Sequence, residues 1–409
     1  GRIPRTAFFA IHRALRAGDF AAAQAALAEG AAPQTRRRPL PIRHRRRLVL
    51  HLGLHKTGTT YLQHHLLRHR AALAQAGVLV PRTGFDSPEA PLRPGATPGH
   101  QGLVRALRAG DDAPWQALHR EIGRSGARTV VLSCENMGFP MRPDRDRLIA
   151  ALADRLGGFD RIEPVVLARR PDAYVEALYR ERIALGTRPG ARGIGAFVVD
   201  HGAALTDWAG LFGAFEDRLG ARVRFGDFDA LRGDALWPGF AALAGLPGDL
   251  PALDVPRYAG PAREAVVILQ VLNALVPDAA LRERLLQGWF ALNPAGGSDA
   301  SLLPPAERAA LLDLWQAQSQ EFAAARGYAP APEAARAALA AEDWQPPQTV
   351  PAEALLDLID LAQQAADPLF APPPAPARRA AKKSRGEMAL VIRLRPWAAD
   401  LVRKLRRNG

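Results

Sequence analysis

Short apolar runs alternate along this chain with longer stretches in which apolar residues recur every three to four positions, the pattern of strands alternating with helices. Leu48, Val49 and Leu50 form the first run and predict a short strand. Residues 60–76 then predict a helix that Gly77 stops, and a second short strand is expected over 78–81. The runs 129–132 and 164–168 are β-branched and apolar enough for strands buried in a parallel sheet, and the second leads into a helix with Pro171 early in it. Further along, 205–231 predicts an amphipathic helix, a stop at Gly220 and a strand over 221–229. The segment 237–247 predicts a helix closed by glycine and proline. Residues 301–327 predict a helix opened by Pro304 and Pro305 and stopped at Gly327.

The ends of the chain follow other rules. Residues 8–30 read as two short amphipathic helices broken at Ala17, Gly18 and Asp19, similar to one unit of a helical-repeat array. One such unit cannot bury its own face and no second copy follows, which favours a packed helical hairpin. Residues 34–47 read as a basic linker, and 329–385 are rich in Ala and Pro with one helical stretch over 351–366. The last segment, 388–409, sets apolar residues beside clustered Arg and Lys. It reads either as an interfacial helix in weak contact with anionic lipid, Trp397 at the boundary and Pro396 dividing it, or as a solvated, flexible basic tail. The expected domains are therefore 1–46, 47–328 and 329–409. The opening Gly1, with no initiator methionine, is what a fragment of a longer chain would show.

Charge sharpens this division. The net charge of +13 suggests a nucleic-acid partner until it is located: residues 1–47 and 371–409 each carry +9, and the 323 residues between them carry −5. The basicity belongs to the appendages, so no nucleic acid is expected at the central domain. One cysteine, Cys134, excludes an intrachain disulfide. No apolar run has the length of a bilayer span and there is no secretory signal, so a cytoplasmic, at most membrane-peripheral, location is expected.

The candidate chemistry sits in HLGLHKTGTTYLQ, residues 51–63. A strand that turns through glycines into a helix aims backbone N–H groups and the positive end of the helix dipole at one spot, which suits a phosphate or a sulfate. Lys56 adds a point charge, and Thr57, Thr59 and Thr60 add hydroxyls. In the usual triphosphate loop a lysine follows the second glycine. Here Gly53 and Gly58 have that separation, but Thr59 stands in the lysine's place and Lys56 precedes Gly58. The order K-T-G-T-T resembles the bacterial sulfotransferase family. The resemblance implies an α/β fold with three layers, α/β/α, around a mainly parallel sheet (P-loop NTPase-like). It also implies 3′-phosphoadenosine 5′-phosphosulfate (PAPS) as donor, no metal, and His55, Lys56, Thr57, Gly58, Thr59 and Thr60 as donor-binding residues.

A second motif agrees. In RIEPVVLARRPDAYVEALYRERI, residues 161–183, Arg169 and Arg170 fall at the end of a predicted strand before a helix. This is similar to the family's 3′-phosphate element, on which Arg169 would clamp the phosphate with its planar fork and Tyr179 would belong to the same site. The family's serine is Ala177 here; losing one hydroxyl donor weakens such a site by about 1 to 2 kcal/mol unless Arg180 or Arg182 compensates. The motifs lie about 110 residues apart, each at a strand-to-helix junction, and their joint spacing is more specific than either alone. The likeness spans about 47–328, with Phe228 and Asp229 where the family ends a strand in an aromatic–acid pair. Arg257 is a further candidate near the nucleotide, set against a surface role.

Three candidates bear on catalysis. Lys56 would neutralise charge on the leaving phosphate. Glu135 follows Ser133 at the carboxyl end of the 129–132 strand, where ligands of open α/β sheets lie, and would act as general base. The same residue also reads as a structural glutamate or as a magnesium-linked acid. His100, after the Pro- and Gly-dense stretch 82–99, reads as a reserve base near the acceptor or as a helix-capping residue. The expected activity is sulfuryl transfer to a hydroxyl or amine of a small-molecule or glycan acceptor. A P-loop kinase lacks its lysine here, and Ala177 keeps a non-catalytic nucleotide-binding scaffold in play. Oligomeric state is not legible in the sequence.

Overall fold

The computed structural model describes residues 44–85, 98–138, 144–186, 193–253, 261–275, 285, 300–330 and 332–346. The expected N-terminal hairpin, Arg257, the basic C-terminal tail and most of the 82–99 stretch lie outside these residues.

Five parallel strands make the sheet: β1 (His44–Leu52), β2 (Val78–Leu79), β3 (Thr129–Cys134), β4 (Phe159–Ala168) and β5 (Arg224–Asp227), in the order β2-β3-β1-β4-β5. Val49, Val131, Val165 and Leu167 pack on one face against the helices α1 (Thr59–Arg68) and α2 (Arg70–Gln75) and against residues 236–244. Their alternates Leu48, Leu50, Val130, Leu132 and Val166 are equally buried, so helices cover both faces as the α/β class requires. Helices α3 (Gln101–Ala109) and α4 (Ala113–Arg124) add the buried Leu103, Leu107, Leu118 and Ile122 to the core, and α5 (Arg145–Leu156) adds Leu148 and Leu152.

Several boundaries differ from the expectation, each for a local reason. Strand β1 starts inside the expected basic linker. The guanidinium of Arg47 binds Glu163 on β4 at 2.7 and 2.6 Å and reaches the carbonyls of Ala244 and Gly245, so strand polar groups and cation are satisfied together. Arg161 and Arg224 converge on the same Glu163, each at 2.6 to 2.8 Å. The helix expected over 60–76 is broken at His69, whose Nε2 lies 2.9 Å from the Pro251 carbonyl. Strand β5 ends at Asp227 because its carboxylate accepts hydrogen bonds from the amides of Asp229 and Ala230 and turns the chain.

Helix α6 (Pro171–Ala184) follows β4, and α7 (Gly193–Thr206), α8 (Trp208–Leu219) and α9 (Leu236–Ala244) complete this part of the domain. Asp207 caps α8 by accepting from the Gly210 amide at 2.8 Å. Beside β5, Trp208, Trp315, Tyr328, Phe212 and Phe225 form an aromatic cluster that joins α8 to α10 (Pro305–Ala324). Edge strand β5 is partly closed where the Phe225 amide donates to the Arg326 carbonyl at 3.0 Å.

The chain divides into two compact units, 1–181 with 194–260 and 303–343, and 182–193 with 261–302 and 344–409. The sheet belongs to the first. In the second, α11 (Arg263–Leu275) buries Ala265, Val266, Leu269 and Leu272, and its Asn273 donates to the Ile183 carbonyl at 2.8 Å. Arg263 and Trp344 donate to the carbonyls of Gln345 and Ser301 at 2.7 and 2.8 Å.

Candidate functional site

The loop between β1 and α1 hangs on the carboxyl end of the central strand, with β3 on one side and β4 on the other. Two residues turn it through the left-handed region, Lys56 at φ 63° and Gly58 at φ 73°. Lysine there is strained, since the left-handed region costs an L-residue roughly 1 kcal/mol or more. Glycine at 58 is required twice over. Beyond its φ, a Cβ would stand 2.6 Å from Leu236 and 3.1 Å from Phe228. The turn is braced from inside by the buried Thr57, whose hydroxyl donates to the Leu54 carbonyl at 2.7 Å. That hydroxyl is spent on the loop itself. Thr59 is buried with its methyl toward Gly53, Thr60 is half-buried, and Gly58 at the N-cap gives α1 no side-chain cap. The first-turn N–H groups of α1 are then the donors such a helix end presents.

Arg169 arrives from the end of β4. Its Nη1 donates to the Lys56 carbonyl at 3.4 Å, Asp229 lies 3.9 Å from its Nε, and its guanidinium stands 5.8 Å from the Phe228 ring centre. The two sequence motifs therefore meet in space. The junction is held by backbone and carboxylate: Phe228 N–H donates to the Ala168 carbonyl at 2.8 Å, and Arg170 N–H donates to Asp229 at 3.0 Å. Asp172, fully buried in the first turn of α6, binds Arg170 at 2.7 and 2.9 Å and Arg308 at 3.1 Å. Burial lowers the pKa of both Lys56 and Arg169. At Lys56 the nearby Glu181 opposes the shift and Arg169 adds to it, and at Arg169 Asp229 opposes it.

Glu135 opens a 3-10 turn directly after β3 and is buried. Its Oε2 accepts a hydrogen bond at 2.7 Å from Nε2 of Gln63, itself fully buried on α1. Glu135 is also the reason for Gly53, since a Cβ there would come within 2.9 Å of its Cα and Cβ and 2.7 Å of the Thr59 methyl. Glu135 and the Lys56 loop thus share one wall.

His100 stands at the N-cap of α3 without a side-chain capping bond, fully buried. Its Nδ1 accepts from the Ser133 amide at 3.1 Å, and burial pushes its pKa down to about 4, only partly offset by backbone carbonyls of Ser133 and Pro81. On the neighbouring strand His51 pairs with Ser133 at 2.8 Å and is likewise pushed to about 4 by burial. Tyr179 is buried with its ring 5.4 Å from Phe197, Ala177 is half-buried, and Arg180 pairs with Glu176 at 2.6 Å.

Sequence reasoning missed three residues. Glu181 approaches Lys56 Nζ at 3.9 Å and His55 Nδ1 at 3.6 Å. Gln63 lies within 51–63, yet only the fold shows that its amide meets Glu135, and only the fold shows that Asp172 is fully buried and shared by Arg170 and by Arg308 from α10. Among the described residues no group of three or more His, Cys, Asp or Glu is placed to hold a metal ion, and no helix is long and apolar enough to cross a membrane.

No protein-family model and no curated protein matches this chain. Among solved structures it is similar to a sulfotransferase from Alicyclobacillus acidocaldarius, at 16% identity and a TM-score of 0.32, over 58% of this chain and 98% of that one.

Proposed function

We propose that the protein transfers a sulfuryl group from PAPS to a hydroxyl or amine of a small-molecule or glycan acceptor. The observation that carries this reading is the meeting of Lys56 and Arg169 across adjacent strand ends, with Arg169 bonded to the Lys56 carbonyl. Two cations at neighbouring strand-to-helix junctions suit a nucleotide with phosphate at both its 3′ and 5′ positions. Lys56 and the first-turn amides of α1, with Thr59 and Thr60, hold the 5′-phosphosulfate, and Arg169 holds the 3′-phosphate. The acceptor atom attacks sulfur in line with the bridging oxygen. The bond from sulfur to that oxygen breaks, its electron pair stays on the 5′-phosphate beside Lys56, and the acceptor's proton passes to Glu135. Gln63 occupies Oε2 of that carboxylate, which leaves Oε1 to take the proton. His100, neutral and bonded to the backbone of β3, shapes the wall next to Glu135.

The test is a thermal-shift titration of the full chain with adenosine 3′,5′-bisphosphate, with ATP plus magnesium, and with adenosine 5′-monophosphate. At about one hundred times its dissociation constant a ligand adds about 2.7 kcal/mol, a shift of several degrees for a domain of this size. Selective stabilisation by the bisphosphate, lost in Lys56→Ala, is the expected result. A response confined to ATP with magnesium, or none to any of the three, refutes the proposal.

A further inference from the structure

Glu181 is a carboxylate with no role in the transfer described above, yet it faces the loop cation. From α6 its Oε1 lies 3.9 Å from Lys56 Nζ and its Oε2 3.6 Å from His55 Nδ1, with its side chain 24% exposed. Of the charged groups that act most on Lys56, Arg169 opposes its protonated form and Glu181 favours it. An anion held by Lys56 therefore arrives beside a negative charge fixed on a helix. The cost of that proximity rises in proportion to the anion's own charge. The sulfuryl end of a phosphosulfate carries one negative charge, whereas the terminal phosphoryl group of a nucleoside triphosphate carries nearly two at neutral pH.

We propose that Glu181 is a specificity-determining residue that admits a singly charged transferred group to the Lys56 seat and disfavours a doubly charged one. The inference rests on the proposed function, because it takes Lys56 to hold the transferred group. Lys56 keeps enough field to hold a sulfuryl group, and Glu181 removes the surplus that a phosphoryl group would exploit.

The test compares the full-length protein with Glu181→Gln, which keeps the side-chain shape and removes the charge. Dissociation constants for PAPS and for magnesium-free ATP are measured by calorimetry, with adenosine 3′,5′-bisphosphate as a probe that has no transferred group. An anion seated on Lys56 stands one contact beyond the 3.9 Å from Glu181 to Nζ, and one additional unit charge about 7 Å from a carboxylate is worth about threefold in affinity even at the dielectric constant of water. Glu181→Gln is therefore expected to improve ATP affinity relative to PAPS affinity by about threefold or more. The 3′-phosphate that only PAPS carries is common to both protein forms and drops out of that ratio. Glu181→Asp, which draws the charge back by one methylene, should fall between the two and guards against a folding effect of the amide. An unchanged ratio in a Glu181→Gln protein that still binds PAPS overturns the inference alone, as does ATP binding that stays undetectable there. A wild-type protein that binds neither PAPS nor the bisphosphate overturns the proposed function and this inference with it.

Discussion

His100 offers a test of how the end of β3 is built. In the folded protein burial holds its pKa at about 4, against about 6.5 in an unfolded chain. Between those values the unfolded chain takes up a proton that the native state refuses, so stability is complete above pH 6.5 and falls as the pH drops toward 4. From pH 8 to pH 5.5 this single group should cost about 1.4 kcal/mol. The variant His100→Asn presents a carboxamide oxygen where Nδ1 accepts from the Ser133 amide, and it cannot be protonated in this range. Urea unfolding followed by tryptophan fluorescence is the assay, since Trp115, Trp208, Trp237 and Trp315 are all buried. The variant's loss between the two pH values should be about 1.4 kcal/mol smaller than that of the unsubstituted protein. Part of the remaining slope in this window belongs to His51, His64 and His65, each lowered first of all by burial, His51 and His65 to about 4. Equal losses in the two proteins would show that His100 is not the neutral buried group described here.

Two further substitutions probe the frame of the site. Gly53→Ala places a methyl within 2.9 Å of Glu135 and 2.7 Å of the Thr59 methyl, and overpacking of that kind costs about 1 to 3 kcal/mol. Thermal denaturation should show that loss together with a weakened bisphosphate response, and an unperturbed melting curve would contradict the close approach. Asp172→Ala leaves Arg170 and Arg308 without their shared buried carboxylate, a loss of about 3 to 5 kcal/mol that a shift in the urea midpoint would report.

The parts of the fold most legible in the sequence were those set by local chemistry. The runs at 48–50, 129–132 and 164–168 are strands because apolar β-branched residues there are buried on both faces, and Gly53 and Gly58 mark the loop because nothing larger fits. The strand order is invisible at that level, since Leu48 and Val130 have the same character whichever neighbours they take. Helix boundaries slipped where a distant group intervened, as Pro251 does at His69. At the site, Lys56, Arg169 and Glu135 stood out because each follows a strand or a glycine turn. Glu181 and Asp172 did not, because a carboxylate on a helix looks like solvated surface until its arginine, lysine or histidine partner arrives from elsewhere in the chain.

The central position of β1 governs how the protein comes into being at the ribosome. Leu50 takes its neighbours Leu132 and Pro164 from about eighty and about one hundred and ten residues further along, so the middle strand is synthesised long before either flank. Such distant pairings are slow to close, because loop entropy must be lost before any contact rewards it. Until β3 emerges the nascent chain carries an apolar strand with both edges open, and until β4 follows one edge stays open, the kind of segment that associates with other chains. In that interval the Lys56 turn has its internal brace from Thr57 but lacks the bond from Arg169, which has yet to be made. A chain cut short before Arg169 would thus be a client for chaperones, with neither β4's pairing nor the bond to the Lys56 carbonyl.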